Sequence, residues 1–124
     1  MSALTIISVL VAGALGALLR WRLSVALPVR PRHLPWGILI VNSAGSLVAG
    51  AVLGLAERAA VSDDLRLVIV TGFCGGLTTF STWTVETIEL LDGRRFRAAV
   101  LNASLTLVLG LGAAALGYLC CRAL

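Results

Sequence analysis

The chain has 124 residues, of which 59% are apolar and 13% charged, and a net charge of +4 carried without a single lysine. A mean hydropathy of +1.00 excludes an ordinary soluble domain. That length accommodates about four membrane crossings with short connections, so the expectation is one transmembrane domain over residues 1–124.

Four apolar runs predict four helices, at about residues 4–27, 36–56, 67–91 and 98–121. The N-terminus lacks the basic start of a signal peptide, so the first run reads as a retained helix. Its late positions carry Arg20 and Arg22. Arg22 reads as a topology signal. Arg20 is either a snorkelling interface anchor or a charge at the mouth of an anion pathway. The first connection holds Pro28, Pro31, Pro35 and the lone His33, which suits a headgroup-level loop better than a metal site.

The second helix contains Val41-Asn42-Ser43-Ala44-Gly45-Ser46. A buried Asn needs partners. Asn42 is either hydrogen-bonding glue between helices or a donor to an anion. The second connection runs from Glu57 to Asp64.

The third run holds the sequence's most informative stretch, Gly72-Phe73-Cys74-Gly75-Gly76-Leu77-Thr78-Thr79-Phe80-Ser81-Thr82-Trp83. Each glycine weakens a helix by roughly 1 kcal/mol relative to Ala. A bilayer offers no water to the backbone groups so released, and a break is tolerated only where they face protein, an ion or a polar path. A helix broken here points to ion handling. Its freed carbonyls, at Gly75 and Thr78, suit a hard cation such as sodium. Phe80 and Trp83 share one face after the break, and aromatic edges turned to a path could solvate a small anion. Glu86 and Glu89 follow, with Glu89 read as an interface residue near the Asp92 to Arg95 connection.

In the fourth run, Asn102 and Thr106 lie one turn apart on one face, with Ser104 nearby. Cys74, Cys120 and Cys121 lack metal-type spacing and read as small apolar packing residues. Small residues recur at helix-contact spacing: Gly13, Gly16 and Ala17; Gly45, Ala49, Gly50 and Gly54; Gly110, Gly112 and Gly117. These read either as packing within the chain or, because four helices enclose little, as contacts of an oligomer, most simply a dimer. Four crossings place Arg20, Arg22, Arg30, Arg32, Arg94, Arg95 and Arg97 on one side and Arg58, Arg66 and Arg122 on the other, which favours both termini outside. The basic charge is read as membrane topology, with lipid and not nucleic acid as its partner.

Gly13-x-x-Gly16-x-x-x-Arg20, Val41-Asn42-x-x-Gly45-Ser46 and above all Gly72 to Trp83 resemble the small bacterial fluoride channels, the Fluc/CrcB family. The resemblance implies an all-α integral membrane protein of the plasma membrane, with the third of four helices broken at the Gly/Thr stretch. It implies an antiparallel dimer that passively exports fluoride along pathways at the subunit interface, and no enzyme activity. It also implies a structural Na+ at the dimer centre, on the carbonyls of Gly75 and Thr78. The fluoride pathway it assigns uses Asn42, Phe80, Trp83, Thr82 and Thr106, with Arg20 at the mouth. Trp83 stands where the family has a second phenylalanine, Asn102 where many members have tyrosine, and Gly110 where a hydroxyl would continue the path. The arginine bias suggests a fixed orientation, so the dimer partner is either a second copy or an oppositely oriented paralogue. The alternative function, a small proton-coupled multidrug exporter, needs an acid in the first helix, and residues 4–19 have none.

Overall fold

The computed structural model describes residues 2–27 and 34–124. The expectations for Pro28, Pro31, Arg30, Arg32 and His33 lie outside these residues. Among the described residues there are helices and no strands. Helix α1 (Ala3–Ala26) starts at Ser2, whose hydroxyl accepts the Thr5 N–H at 3.1 Å. Such a cap satisfies one of the amides that a helix start leaves open. Helix α2 (Trp36–Glu57) begins directly after Pro35. The third span, Asp63–Asp92, is built in pieces. It opens with α3 (Asp63–Arg66), capped by Ser62 and carrying Asp63 and Asp64 in its first turn, where the helix dipole favours acids. A π-helical segment follows (Leu67–Cys74), then a short turn α4 (Gly75–Leu77). After two extended residues comes α5 (Phe80–Asp92). Helix α6 (Phe96–Ala123) completes the chain.

Among the described residues, four helical spans are long and apolar enough to cross a membrane. The chain is an all-α, multi-pass membrane protein, which in a bacterium means the plasma membrane. Its surface is apolar accordingly, with Leu4, Leu10, Val108 and Leu111 all exposed.

Two tight helix pairs organise the bundle. Helix α2 packs along α6, and α1 packs along the π-helical segment and α4. In both pairs the contact is backbone to backbone, because glycine lies at the crossing. A Cβ on Gly50 would collide with the Ala114 carbonyl, and one on Gly117 with the Leu47 carbonyl. A Cβ on Gly16 would strike the Phe73 carbonyl, and one on Gly76 the Gly13 carbonyl. Gly54 and Gly72 are crowded by backbone in the same way, and Gly45 by the Thr78 methyl group. Most of the small residues that pointed to an oligomer are thus spent inside the chain. Gly112 has nothing within 4 Å, and Gly110 meets only the Ser46 hydroxyl, at 3.6 Å.

The break also differs from its expected cause. Gly72, Gly75 and Gly76 all remain helical, and the chain becomes extended only at Thr78 (ψ 155°) and Thr79 (φ −148°, ψ 128°). The glycines permit the approach of α1, and side-chain hydrogen bonding opens the helix. Beyond the break, α5 lies against α6 with much of its surface exposed. Leu90 is its sole buried residue and Phe80 is 75% exposed.

Candidate functional site

The helix opens at Thr79 because Asn42 offers its backbone a better partner. The Thr79 N–H donates to Asn42 Oδ1 at 2.8 Å, and Asn42 Nδ2 donates back to the Thr79 carbonyl at 3.1 Å. This pair replaces helical bonds that would otherwise be lost in a medium without water. Thr79 also caps the next helix, its hydroxyl accepting the Thr82 N–H at 3.2 Å. The Thr78 N–H and hydroxyl both donate to the Cys74 carbonyl, each at 2.9 Å.

These diversions bear directly on Gly75 and Thr78. In an α-helix the Gly75 carbonyl would accept from the Thr79 N–H, and the Thr78 carbonyl from the Thr82 N–H. Asn42 takes the first donor and the Thr79 hydroxyl takes the second. Two carbonyls close to one break are thereby released from their usual partners. Gly75 is exposed, and a Cβ there would meet nothing nearer than 3.9 Å.

Beside the break lies a groove of about 370 Å³, whose walls include Asn42, Ser46, Thr79, Phe80, Trp83 and Thr106. The Phe80 and Trp83 ring centroids are 5.1 Å apart, with planes tilted by 52°. Thr106 Oγ1 is buried and has no hydrogen-bond partner. A buried hydroxyl left unpaired costs about 1–3 kcal/mol. Two rings, an amide and a hydroxyl residue line a neutral groove that can meet a small anion with donors and ring edges.

The chain matches the family described as CrcB-like protein, Camphor Resistance (CrcB), over residues 7–118. It is 42% identical to a fluoride-specific ion channel of Gluconobacter oxydans, over 96% of this chain and 85% of that relative. It is 41% identical to one from Methylobacterium radiotolerans, over 95% of this chain and 85% of the relative. With one from Symbiobacterium thermophilum it shares 44% identity, over 86% of this chain and 89% of the relative. The chain belongs to the CrcB-like family.

In this CrcB-like chain the structure brings together Asn42, Phe80, Trp83 and Thr106, and separates Thr82 from them. Thr82 lines a second pocket of about 250 Å³ with Ala17, Arg20, Trp21 and Ser24. Three residues past Thr79 along the chain, it accepts a hydrogen bond from the Thr79 hydroxyl at 3.2 Å. Arg20 Nε is buried there without a hydrogen-bond partner. Glu86 also has a buried oxygen, Oε2, without a partner, whereas Glu89 is exposed. Cys74 is buried, but Cys120 is exposed, so the packing role expected for it fails.

Sequence reasoning missed Thr79 and Thr87. Thr79 is one of two adjacent hydroxyl residues, and nothing local says which will be extended. Of the two roles open to Asn102, glue between helices or a donor to an anion, the structure shows the first: it is 2% exposed and bonds to Thr87 on α5, away from the groove.

Proposed function

We propose that this chain is a fluoride-specific channel that lets fluoride leave the cell passively and so relieves its toxicity. The names of its relatives support the anion, and the groove supports the route. The single observation that carries the reading is the gathering of Asn42, Phe80, Trp83 and Thr106, from three different helices, around one groove. Fluoride is small and strongly hydrated, so entry requires donors that replace water. A hydroxyl, an amide and ring edges supply them without a full positive charge that would trap the ion. Arg20 and Thr82, in the neighbouring pocket, attract fluoride to the mouth.

The groove is open on one side, and Phe80 is largely exposed. A second subunit in antiparallel orientation closes it, either a copy of this chain or an oppositely oriented paralogue. The carbonyls of Gly75 and Thr78 fit a structural sodium at the dimer centre. They are neutral oxygen donors without their helical partners, and Gly75 presents no side chain. Bound there, sodium would tie the breaks of two subunits together.

Liposomes containing the purified chain test the reading. Loaded with fluoride or chloride in sodium buffer, they are expected to release fluoride rapidly and retain chloride. Folded protein that releases neither, alone or with a paralogue, would overturn it.

A further inference from the structure

Three hydrogen bonds close a circuit between α5 and α6 behind the groove. The Trp83 indole Nε1–H donates to the backbone carbonyl of Asn102 at 3.4 Å, a long bond. Asn102 Nδ2 donates to the Thr87 hydroxyl at 3.0 Å. The Thr87 hydroxyl donates to the Trp83 carbonyl at 2.7 Å. The Asn102–Thr87 bond ties α6 to α5 through side chains, and so holds the backbone carbonyl of Asn102 opposite the Trp83 indole. Asn102 is almost fully buried and does not line the groove. The indole N–H therefore points out of the groove, while the rest of the ring forms its wall beside Phe80.

This orientation has a chemical consequence. A free indole N–H is a strong neutral donor, and fluoride is a strong acceptor. Turned into the groove, the N–H would hold the ion at one point. Committed to the Asn102 carbonyl, it leaves the weakly positive C–H edge of the ring as what the ion meets. We infer that Asn102 and Thr87 are positioning residues for Trp83, holding its indole donor away from the pathway so that this tryptophan serves as a hydrocarbon edge. The inference rests on the channel reading for its functional meaning, and on the circuit alone for its geometry.

Two readouts test it, one of them independent of conduction. The chain has three tryptophans. Replacing Trp21 and Trp36 with Phe leaves Trp83 as the sole emitter. In that protein, Thr87→Val and Asn102→Leu are expected to shift the emission to longer wavelength and increase quenching by acrylamide, while Thr87→Ser leaves both unchanged. In liposomes, Thr87→Val should slow fluoride efflux about tenfold with Trp83 present and change it little in a Trp83→Phe background, a coupling ordinary for residues in contact. A structural role for Thr87 would slow both backgrounds equally.

Unchanged emission in Thr87→Val, or equal losses in both backgrounds, overturns the inference. If Asn102→Leu does not fold, Thr87→Val carries the test alone. If the unmodified chain passes no fluoride, the channel reading falls, and the emission of Trp83 still decides the clamp.

Discussion

Asn42 and Thr79, 37 residues apart in sequence, bond as a reciprocal pair: the side-chain amide of one takes both backbone groups of the other, at 2.8 and 3.1 Å. Thr79 is buried, so removing the amide strands both groups. Each stranded group costs about 1–3 kcal/mol. Asn42→Ala is expected to lower unfolding stability in detergent by about 2 kcal/mol and to abolish efflux, since the break collapses toward a regular helix. An unaltered denaturation midpoint would show that the pair does not hold the break.

Thr106 gives the opposite pairing of effects. Its hydroxyl has no partner in the protein, so the near-isosteric Thr106→Val removes no internal hydrogen bond. Stability should stay within about 0.5 kcal/mol of the parent or rise. A hydrogen bond to a charged group contributes about 1.5–3 kcal/mol, so fluoride efflux should fall about tenfold or more. Undiminished efflux would remove Thr106 from the pathway.

Glycines that look alike in sequence should answer differently to the same substitution. A Cβ on Gly76 meets the Gly13 backbone, which cannot move aside, and Gly76→Ala is expected to cost about 1–3 kcal/mol. Gly112 has open space, and Gly112→Ala should be neutral or stabilise its helix by up to about 1 kcal/mol. Unfolding midpoints of the two variants measure the contrast.

Sodium should stabilise the assembled protein if the Gly75 and Thr78 carbonyls hold it. Binding to the folded state alone adds about 2.7 kcal/mol at a hundredfold excess over the dissociation constant. The melting temperature is expected to rise with sodium and not with potassium at equal ionic strength. Gly75→Ala, which meets open space within one chain, should spare the subunit fold and abolish the sodium effect. A melting temperature indifferent to sodium would end the proposal for these carbonyls.

The positions of the four spans were legible in the sequence, because a bilayer demands long apolar runs and those leave a one-dimensional record. The third span was recognisable as special because it crowds three glycines and a run of hydroxyls into twelve residues, a density the other spans lack. Its division was not. Gly75 and Gly76 look like helix breakers, yet both stay helical, and the break falls at Thr78 and Thr79. The partner that opens it, Asn42, lies on another helix, and long-range hydrogen bonds leave no local spacing to read.

The same distinction separates the site residues. Phe80 and Trp83 share a helix face by their spacing alone, and the structure finds them in one groove wall. Thr82 lies between them in sequence but turns to Arg20, because successive helical side chains diverge around the axis. Asn42 and Thr106 join the groove only through the crossing of α2 with α6, which Gly50 and Gly117 make close. By itself, then, the sequence determined the membrane class, the number of spans and the residue types suited to an ion, since solvent and helix period act locally. Tertiary structure alone decided where the helix opens, which side chain opens it and which hydroxyls are left without a partner. Each of those depends on which backbone approaches which side chain across the bundle.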